Sequence, residues 1–495
     1  MRSIKPYKRT ALAVAVCVAF GAGLSACGGD DTEAAGVVSQ ELDIVANADA
    51  LQNVPADARP KVRWWWPQAD LDSKELESEM NALKEVGFGG VEPVLLNRLE
   101  SKYLDWAKAG FSAATGFVAN LANSLGLRFD TTLGPAWPMT APSVDDPAKR
   151  LSMQDLHYGV VTVTGPVTFS GAVPDDSATR ATGQQQKDLI AVTDARVVSA
   201  DTLVTLDPDS AVDLTSKVAA DGTIQWSVPA GTWKLFGFWM RPTYQRAIGA
   251  TDATKGWLVV DHLSQDAVKA TLDDYDRLVF GDAANGAALR KNGGHVFEDS
   301  LEVTHGTVAT GQSALFWTPT FQKEFTARRG YSPTKFLPAM FSEFTFPSAG
   351  GARVKNDYDT TLYDLYIDKH IKPITEWAKN HGLTYRAQAY GTKSFLPERA
   401  MRLAAAVPIP DVESFGFGDP LPPAGMSASY AAPGSSLSRD IMDRYRQVVS
   451  GAHVSGAKEV SNEWGAAMFE AFGQDPGSYK MLADRSFAAG VTTQI

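Results

Sequence analysis

The sequence contains little cysteine and little histidine. Of 495 residues, two are cysteines (Cys17 and Cys27) and seven are histidines. Cys17 falls in an N-terminal segment that we expect to be removed, so the mature chain would have no internal disulfide and would depend on packing. There is no HExxH or paired-histidine motif, which makes zinc a weaker candidate than a cation bound by oxygen. His305 and His453 are isolated, and we expect surface or hydrogen-bonded positions for them.

The sequence also lacks an excess of positive charge and the common nucleotide motifs. The formal net charge is -11 and the isoelectric point is about 5.2, which argues against a nucleic-acid-binding protein. No P-loop or dinucleotide-binding fingerprint occurs, and no GxSxG elbow of a serine hydrolase. Hydrophobic residues make up 44% and charged residues 21%, a composition typical of a large globular protein.

The N-terminus has the features of an export signal. Four basic residues precede an apolar run, Ala11 to Leu24, that is too short to span a bilayer comfortably. The run ends in Leu-Ser-Ala-Cys, which resembles a lipobox and predicts lipidation at Cys27; a plain secretory signal is the alternative. We therefore expect a signal peptide over 1–26, a flexible tether over 27–58, and an exported lipoprotein of the outer membrane or periplasm of a Gram-negative bacterium.

Strand-like and helix-like segments alternate along most of the chain, which predicts parallel β/α units. The fold class expected is α/β, a (β/α)₈ TIM-like barrel with an inserted β-rich, sandwich-like domain. Residues 59–149 and 256–495 would form the barrel, and 150–255 the insertion. The pattern ends near an eighth strand without an eighth helix, so we expect a fragment of a longer protein. The predicted strands are 62–66, 90–96, 127–132, 295–302, 384–390, 409–414, 458–463 and 491–495.

Acidic residues recur where these strands end. Asp299 and Glu302 follow the fourth strand, Glu413 the sixth and Glu463 the seventh. Any one of them could cap the next helix. Four at matching positions of a barrel would repel one another, and such clusters bind a metal or perform acid–base chemistry. Two chemistries fit: hydrolysis of a glycosidic bond by paired carboxyls, and binding of a hard cation such as Ca²⁺.

Several blocks together resemble glycoside hydrolase family 106, the α-L-rhamnosidases. They occur in the family's order from about residue 60 to 495 and include "RWWWPQADLD", "EDSLE", "FWTPTFQKEFTARRGYSP", "IPDVESF" and "GAHVSGAKEVSNEWG". The resemblance implies a barrel enzyme that removes terminal α-L-rhamnose with inversion and uses Ca²⁺. By motif, Glu302 resembles the general acid, Glu463 the general base, and Asp299 and Glu413 acids of the calcium site.

Other side chains are candidates for contacts with the sugar. Trp66, nearest the end of the first strand, and Trp137 could stack on a sugar, although core packing is as good an explanation for Trp66 and a better one for the two tryptophans before it. Gln388 and Tyr390 follow the fifth strand; Gln388 could bind a sugar hydroxyl or make a structural bond. Glu298 alternates with Asp299, so we expect it to point away from the barrel mouth.

Two other functions stay open. A related glycosidase could use the same machinery on another sugar, since a fold does not fix a substrate. A non-catalytic, surface-tethered glycan-binding lipoprotein is the second alternative; it would need the aromatic residues but not both catalytic glutamates. The partner expected in each case is a glycan or glycoside, with membrane contact only through the lipid anchor.

Overall fold

Parallel strands and helices make up most of the structure, a computed structural model that describes residues 53–67, 71–96, 109–135, 137–247, 257–388, 400–415, 436–466 and 475–495. Residues Val54–Ile495 form one compact unit. Cys27 and Tyr390 lie outside the described residues, as does nearly all of the predicted signal peptide and tether. None of the described helices is long and apolar enough to cross a membrane.

Two parallel sheets contain the predicted barrel strands. The first has three strands, in the order β1-β2-β3, and the second has six, in the order β15-β14-β13-β12-β9-β4. Only Asp130 separates β3 from β4, so one extended segment enters both sheets. The strands are β1 Lys61–Pro67, β2 Gly90–Leu96, β3 Arg128–Phe129, β4 Thr131–Thr132, β9 His295–Glu298, β12 Thr384–Ala387, β13 Ile409–Phe415, β14 Ser461–Ala466 and β15 Thr493–Gln494.

The sheets curve toward each other, as a contact between β1 and β14 shows: Arg63 Nη1 lies 2.5 Å from Glu463 Oε2. This confirms the α/β class, and each predicted strand overlaps an observed one. Among the described residues no pairing joins β15 to β1, so closure into an eight-stranded barrel stays a prediction. One detail was wrong: Glu413 and Glu463 lie within β13 and β14, where they face each other in register, and do not follow those strands.

Helices alternate with the strands, and the first of them has a clear capping residue and a buried face. Asp72 caps its N-terminus by accepting hydrogen bonds from the amides of Lys74 (2.8 Å) and Glu75 (3.2 Å), as its sequence position predicts. Leu76 and Met80, four residues apart, are buried. The helices are α1 Ser73–Glu85, α2 Ala109–Leu125, α3 Gln265–Leu278, α4 Ala283–Asn292, α5 Phe321–Arg329, α6 Gly350–Tyr366, α7 Lys372–Asn380, α8 Ala400–Ala404, α9 Ser436–Ser455 and α10 Pro476–Ala489.

Short helical turns of other types complete the secondary structure. A π-helical turn, Ile367–Ile371, continues α6 into α7. Such turns insert an extra residue into the helix and often lie at functional sites. Turns of 3₁₀ type span Ala56–Ala58, Pro142–Val144, Pro147–Lys149, Thr215–Lys217 and Thr334–Met340.

A separate six-stranded sheet forms the β-rich layer, in the order β10-β5-β8-β6-β7-β11. Four of its strands come from the segment predicted as an insertion, and β10 and β11 come from the chain after β9. Its arrangement as a sandwich-like domain stays a prediction. The strands are β5 Gln154–Ala172, β6 Asp188–Ala200, β7 Val204–Asp213, β8 Thr223–Pro242, β10 Leu315–Trp317 and β11 Phe344–Thr345.

One hydrophobic core extends from the helix layer of the parallel sheets into the β-rich layer. It includes Trp66 and Met80 on one side and Phe236 and Phe238 on the other. The core is therefore continuous between the two layers, and the β-rich layer is packed against the parallel sheets rather than tethered to them.

Replacing the Asp72 cap should destabilise the structure locally. The Asp72→Ala variant loses a side-chain acceptor for two amides of α1, so we expect the free energy of unfolding to fall by about 1 kcal/mol. Urea denaturation followed by circular dichroism measures the change. Glu77→Ala, at an exposed position of the same helix, is the control; an equal loss in that variant would show that the cap is not the cause.

Candidate active site

The first strand directs alternate side chains to opposite sides of the sheet. Trp64 and Trp66 are buried in the hydrophobic core, with ring centroids 5.4 Å apart. Lys61, Arg63 and Trp65 lie on the other face, which is the concave interior of the curved sheets. Because Lys61 and Arg63 are two residues apart on β1, both side chains point to this face, where carboxylates from other segments reach them.

Arg63 is the centre of the interior charge cluster. Its guanidinium lies 3.2 Å from Glu92 Oε1, 3.3 Å from Asp299 Oδ2 and 2.5 Å from Glu463 Oε2. Its side chain is only 7% exposed. Burial opposes its charge, but the charges of Glu463 and Asp299 outweigh burial and raise the pKa of Arg63. One cation thus holds carboxylates from β2, from the end of β9 and from β14.

A second buried guanidinium, that of Arg386 on β12, extends the cluster. It forms ion pairs with Glu92 and with Asp411, the latter at 2.8 Å. Its Cζ lies 4.0 Å from the ring centroid of Phe297, and that of Arg63 lies 4.6 Å from the same centroid. Both guanidiniums are therefore within cation–π distance of the ring of Phe297.

Glu463 has an environment suited to acid–base chemistry. It is 7% exposed and accepts a 2.8 Å hydrogen bond from Gln388 Nε2. Burial raises the pKa of Glu463 to about 7, and the nearby charge of Asp299 adds to this although Arg63 opposes it. A carboxyl that titrates near neutral pH can exchange a proton with water under ordinary conditions.

Glu302 lies beyond β9 and is partly exposed. Ser300 Oγ lies 3.3 Å from Glu302 Oε1 and is placed to donate to it. Burial raises the pKa of Glu302; the Ser300 hydrogen bond opposes this effect and the charge of Asp299 adds to it. Glu302 and Glu463 are thus both influenced by Asp299, and both have raised pKa values.

The charge of Asp299 acts on both glutamates. Its Oδ1 accepts a 2.7 Å hydrogen bond from the amide of Ser300, and its Oδ2 faces Arg63. Burial raises its pKa against the lowering effect of Arg63. Glu413 is half-buried, and its charge also acts on Arg63. The structure therefore brings Asp299, Glu413 and Glu463 to one cluster.

The aromatic candidates divide between the core and the site. Trp66 is 2% exposed and packs against Trp64 and Phe111, so the structure does not offer its ring to a sugar. Trp65, which the sequence assigned to the core, is 39% exposed instead, and its ring centroid lies 6.4 Å from that of the partly exposed Trp137. Alternation along β1 explains the exchange, since Trp65 shares the interior face with Arg63.

Sequence reasoning missed the basic members of the cluster. Arg63 and Arg386 lie in strand segments that it recognised, and Lys61 directly precedes the first of these. A charged residue inside an apolar strand is itself a signal of a polar interior. Sequence reasoning also missed Glu92 and Asp411, two acidic members of the cluster. The partner of each cation depends on cross-sheet geometry, which a single sequence does not contain.

Residues 185–495 match a family model described as alpha-L-rhamnosidase, glycoside hydrolase family 106. A protein of Formosa agariphila named "Putative beta-glucuronidase" is 22% identical over 474 residues, which cover 88% of this chain and 36% of that protein. The structure of a rhamnosidase from Novosphingobium sp. PP1Y aligns with a TM-score of 0.64 and 18% identity, over 90% of this chain and 56% of that one. The catalytic domain of a beta-amylase from Paenibacillus polymyxa aligns at 13% identity with a TM-score of 0.43, over 89% of this chain and 92% of that one.

The chain spans 36% of the curated relative and 56% of the solved rhamnosidase. The structural likeness, at 18% identity, concerns the fold. The family match covers more than half of the sequence and includes Asp299, Glu302, Glu413 and Glu463. The chain therefore belongs to glycoside hydrolase family 106, the family of the alpha-L-rhamnosidases.

Proposed function

We propose that the protein hydrolyses terminal α-L-rhamnosides with inversion at the anomeric carbon. The observation that supports this most is the pair of carboxyls, Glu302 and Glu463, which have raised pKa values and are both influenced by Asp299. Glycosidases use two such carboxyls, one as an acid and one as a base. Membership of the family makes rhamnose the first sugar to test.

Glu302 would donate a proton to the departing glycosidic oxygen, and Glu463 would remove a proton from the attacking water. The raised pKa of Glu302 favours its protonated form. Arg63 and Gln388 both favour the ionised form of Glu463. The active form would have Glu302 protonated and Glu463 ionised, so protonation of Glu463 would remove activity as the pH falls.

We propose that Ca²⁺ binds beside this pair, with Asp299 and Glu413 as its protein ligands. The cluster has five carboxyls around two guanidiniums, which leaves an excess of negative charge suited to a hard divalent cation. Such an ion binds and orients sugar hydroxyls. The five carboxyls are Glu92, Asp299, Asp411, Glu413 and Glu463, and the guanidiniums belong to Arg63 and Arg386.

The neighbouring polar and aromatic side chains suit a sugar-binding surface. We propose that Trp137, together with Trp65, stacks on the substrate, since these rings are neighbours and partly exposed. Gln388 would orient Glu463 through the hydrogen bond between them. Tyr390 stays a candidate for substrate binding from the sequence alone.

We also propose that the protein is exported and anchored by a lipid on Cys27, on the outer membrane or in the periplasm. The proposal rests on the lipobox-like Leu24–Cys27 segment alone. It agrees with a substrate that would be a glycan or glycoside outside the cytoplasm.

A second candidate substrate comes from the Formosa agariphila relative, whose name indicates a β-glucuronide. A glucuronide carries a carboxylate, which the acidic cluster would repel unless a cation or Arg63 met it. The rhamnoside is neutral and meets no such penalty, so it is the favoured substrate of the two.

The first test is release of sugar from aryl α-L-rhamnosides and aryl β-D-glucuronides, with added Ca²⁺ and with chelator. We expect Ca²⁺-dependent release of rhamnose, with nuclear magnetic resonance showing the β-anomer as the first product.

Glu463→Gln should lower kcat at least a hundredfold on all aryl leaving groups. Glu302→Gln should do so on poor leaving groups but much less on dinitrophenol, which departs without a proton.

The controls separate the possible failures of this test. Glu376→Gln, at an exposed position of α7, should retain full activity. Release of glucuronic acid instead of rhamnose would change the proposed substrate but not the proposed catalytic residues. Binding of the glycan without turnover would favour a glycan-binding protein, and equal loss on all leaving groups would contradict the acid role of Glu302.

The acid limb of the pH profile should report Glu463. Its pKa is about 7, and the Gln388 hydrogen bond lowers it. Gln388→Met removes the donor with little change in volume, so the carboxylate is less stabilised, its pKa rises, and the acid limb of kcat/KM moves to higher pH. A limb that stays in place would show that Glu463 does not set it.

The β-rich layer holds the loop that carries Glu302. Gln245, just after β8, donates from Nε2 to the carbonyl of Glu302 at 2.7 Å and accepts from the amide of Thr304 at 2.8 Å. Asp155 on β5 accepts from the amide of Gly306 at 2.7 Å. The side chain of Gln245 therefore binds the loop at two points, and we assign it a positioning role.

Loss of this bridge should affect the proton donor selectively. In Gln245→Ala we expect kcat on poor leaving groups to fall about ten- to a hundredfold, with a much smaller fall on dinitrophenyl substrate. Gln225→Ala, at an exposed position of β8, is the matched control. An equal loss on both leaving groups would point to general destabilisation rather than to a misplaced Glu302.

A further inference from the structure

A second cluster of charged and imidazole side chains lies behind the site. Phe297 of β9 faces the interior, where both arginines stack on it, so Glu298 points to the other side of the sheet, toward the helices. Glu298 is 2% exposed and lies directly beside Asp299 in the chain. A carboxylate at this depth needs a cation or several donors to remain there.

Two histidines from distant parts of the chain meet this carboxylate. His370, in the π-helical turn, has its Nε2 2.8 Å from both oxygens of Glu298, and His262, in the segment before α3, has its Nε2 3.6 Å from Oε1. Both imidazoles are fully buried. One ligand atom from each of the three residues lies within 4.8 Å of the others.

The hydrogen-bonding capacity of this cluster is incompletely used. Among the described residues, neither ring nitrogen of His262 has a hydrogen-bond partner within 3.5 Å, and Nε2 approaches Glu298 only to 3.6 Å. Buried polar atoms are nearly always paired, with protein, water or an ion. The Nε2 atom of His262 is directed at the same carboxylate that His370 contacts. A single bound ion would therefore accept a lone pair from each imidazole and from the carboxylate.

We propose that His262, Glu298 and His370 bind one divalent transition-metal ion of the zinc type. Two imidazole nitrogens and one carboxylate form a donor set that zinc prefers and that calcium, which takes oxygen ligands, does not. The hydroxyl of Tyr385 donates to Glu298 Oε2 and would orient the carboxylate as an outer partner. Small shifts of the three side chains would give room for metal–nitrogen bonds of about 2.0–2.1 Å.

The proposed ion would be structural. Its ligands join the end of β9, the chain before α3 and the π-helical turn, and all three are buried away from the concave interior. It would fix the residue next to Asp299 without touching the substrate. The π-helical turn that presents His370 agrees with this, since such turns often lie at functional sites.

Metal content and stability test the proposal without an activity assay. The whole protein is stripped with chelator and titrated with Zn²⁺ by calorimetry, and bound zinc is counted by mass spectrometry after gel filtration. We expect one Zn²⁺ per chain and a rise in Tm. His370→Gln and His262→Gln should each weaken zinc binding at least tenfold, while His453→Gln, at an exposed histidine, should bind as the native protein does.

The outcomes are distinct. Co²⁺ in place of Zn²⁺ should give visible absorption bands in the native protein that both cluster variants lose. If a histidine variant does not fold, Glu298→Gln and the native titration alone still decide the matter. Native protein that binds no zinc at micromolar concentration, or cluster variants that bind it as tightly as the native protein, would overturn the proposal.

Discussion

The interaction on which the interior depends is the contact of one guanidinium with three carboxylates. Arg63 meets Glu92 of β2, Asp299 just after β9 and Glu463 of β14. Removing one partner of a buried ion pair typically costs about 3–5 kcal/mol, because the other charge is left uncompensated. The concave face can therefore hold its acids at close range only while Arg63 stays in place. Burial raises the pKa of Glu463, and the charge of Arg63 limits that rise.

The same arrangement explains why the parallel sheets and the β-rich layer act together. The interior acids lie in strands or directly after them, whereas Glu302 lies on the loop beyond β9. Gln245 and Asp155, from the β-rich layer, make hydrogen bonds to that loop. A reacting group on a loop needs rigid support, and for Glu302, the proposed proton donor, the β-rich layer supplies these hydrogen bonds.

The sequence predicted the parallel strands well, because strand patterns are local, and each of them overlapped its predicted position. Of the predicted acids, Asp299, Glu413 and Glu463 lie in one cluster around Arg63, and their catalytic and metal-binding roles stay predictions. The errors concern orientation: one step along β1 exchanges Trp65 and Trp66 between interior and core. The contacts of Glu298 with His262 and His370 join segments far apart in the sequence, so residue spacing could not predict them.

The strand order of the β-rich sheet limits how the chain can be built and rearranged. Its edges, β10 and β11, are supplied by residues that follow β9, so the sheet has exposed edges until the chain beyond Thr345 has been made. Late, non-local pairings of this kind slow folding and leave intermediates prone to aggregate. The β-rich layer is therefore not a module that could be moved to another protein by cutting at its two apparent ends, and evolution could exchange it only together with the segment after β9.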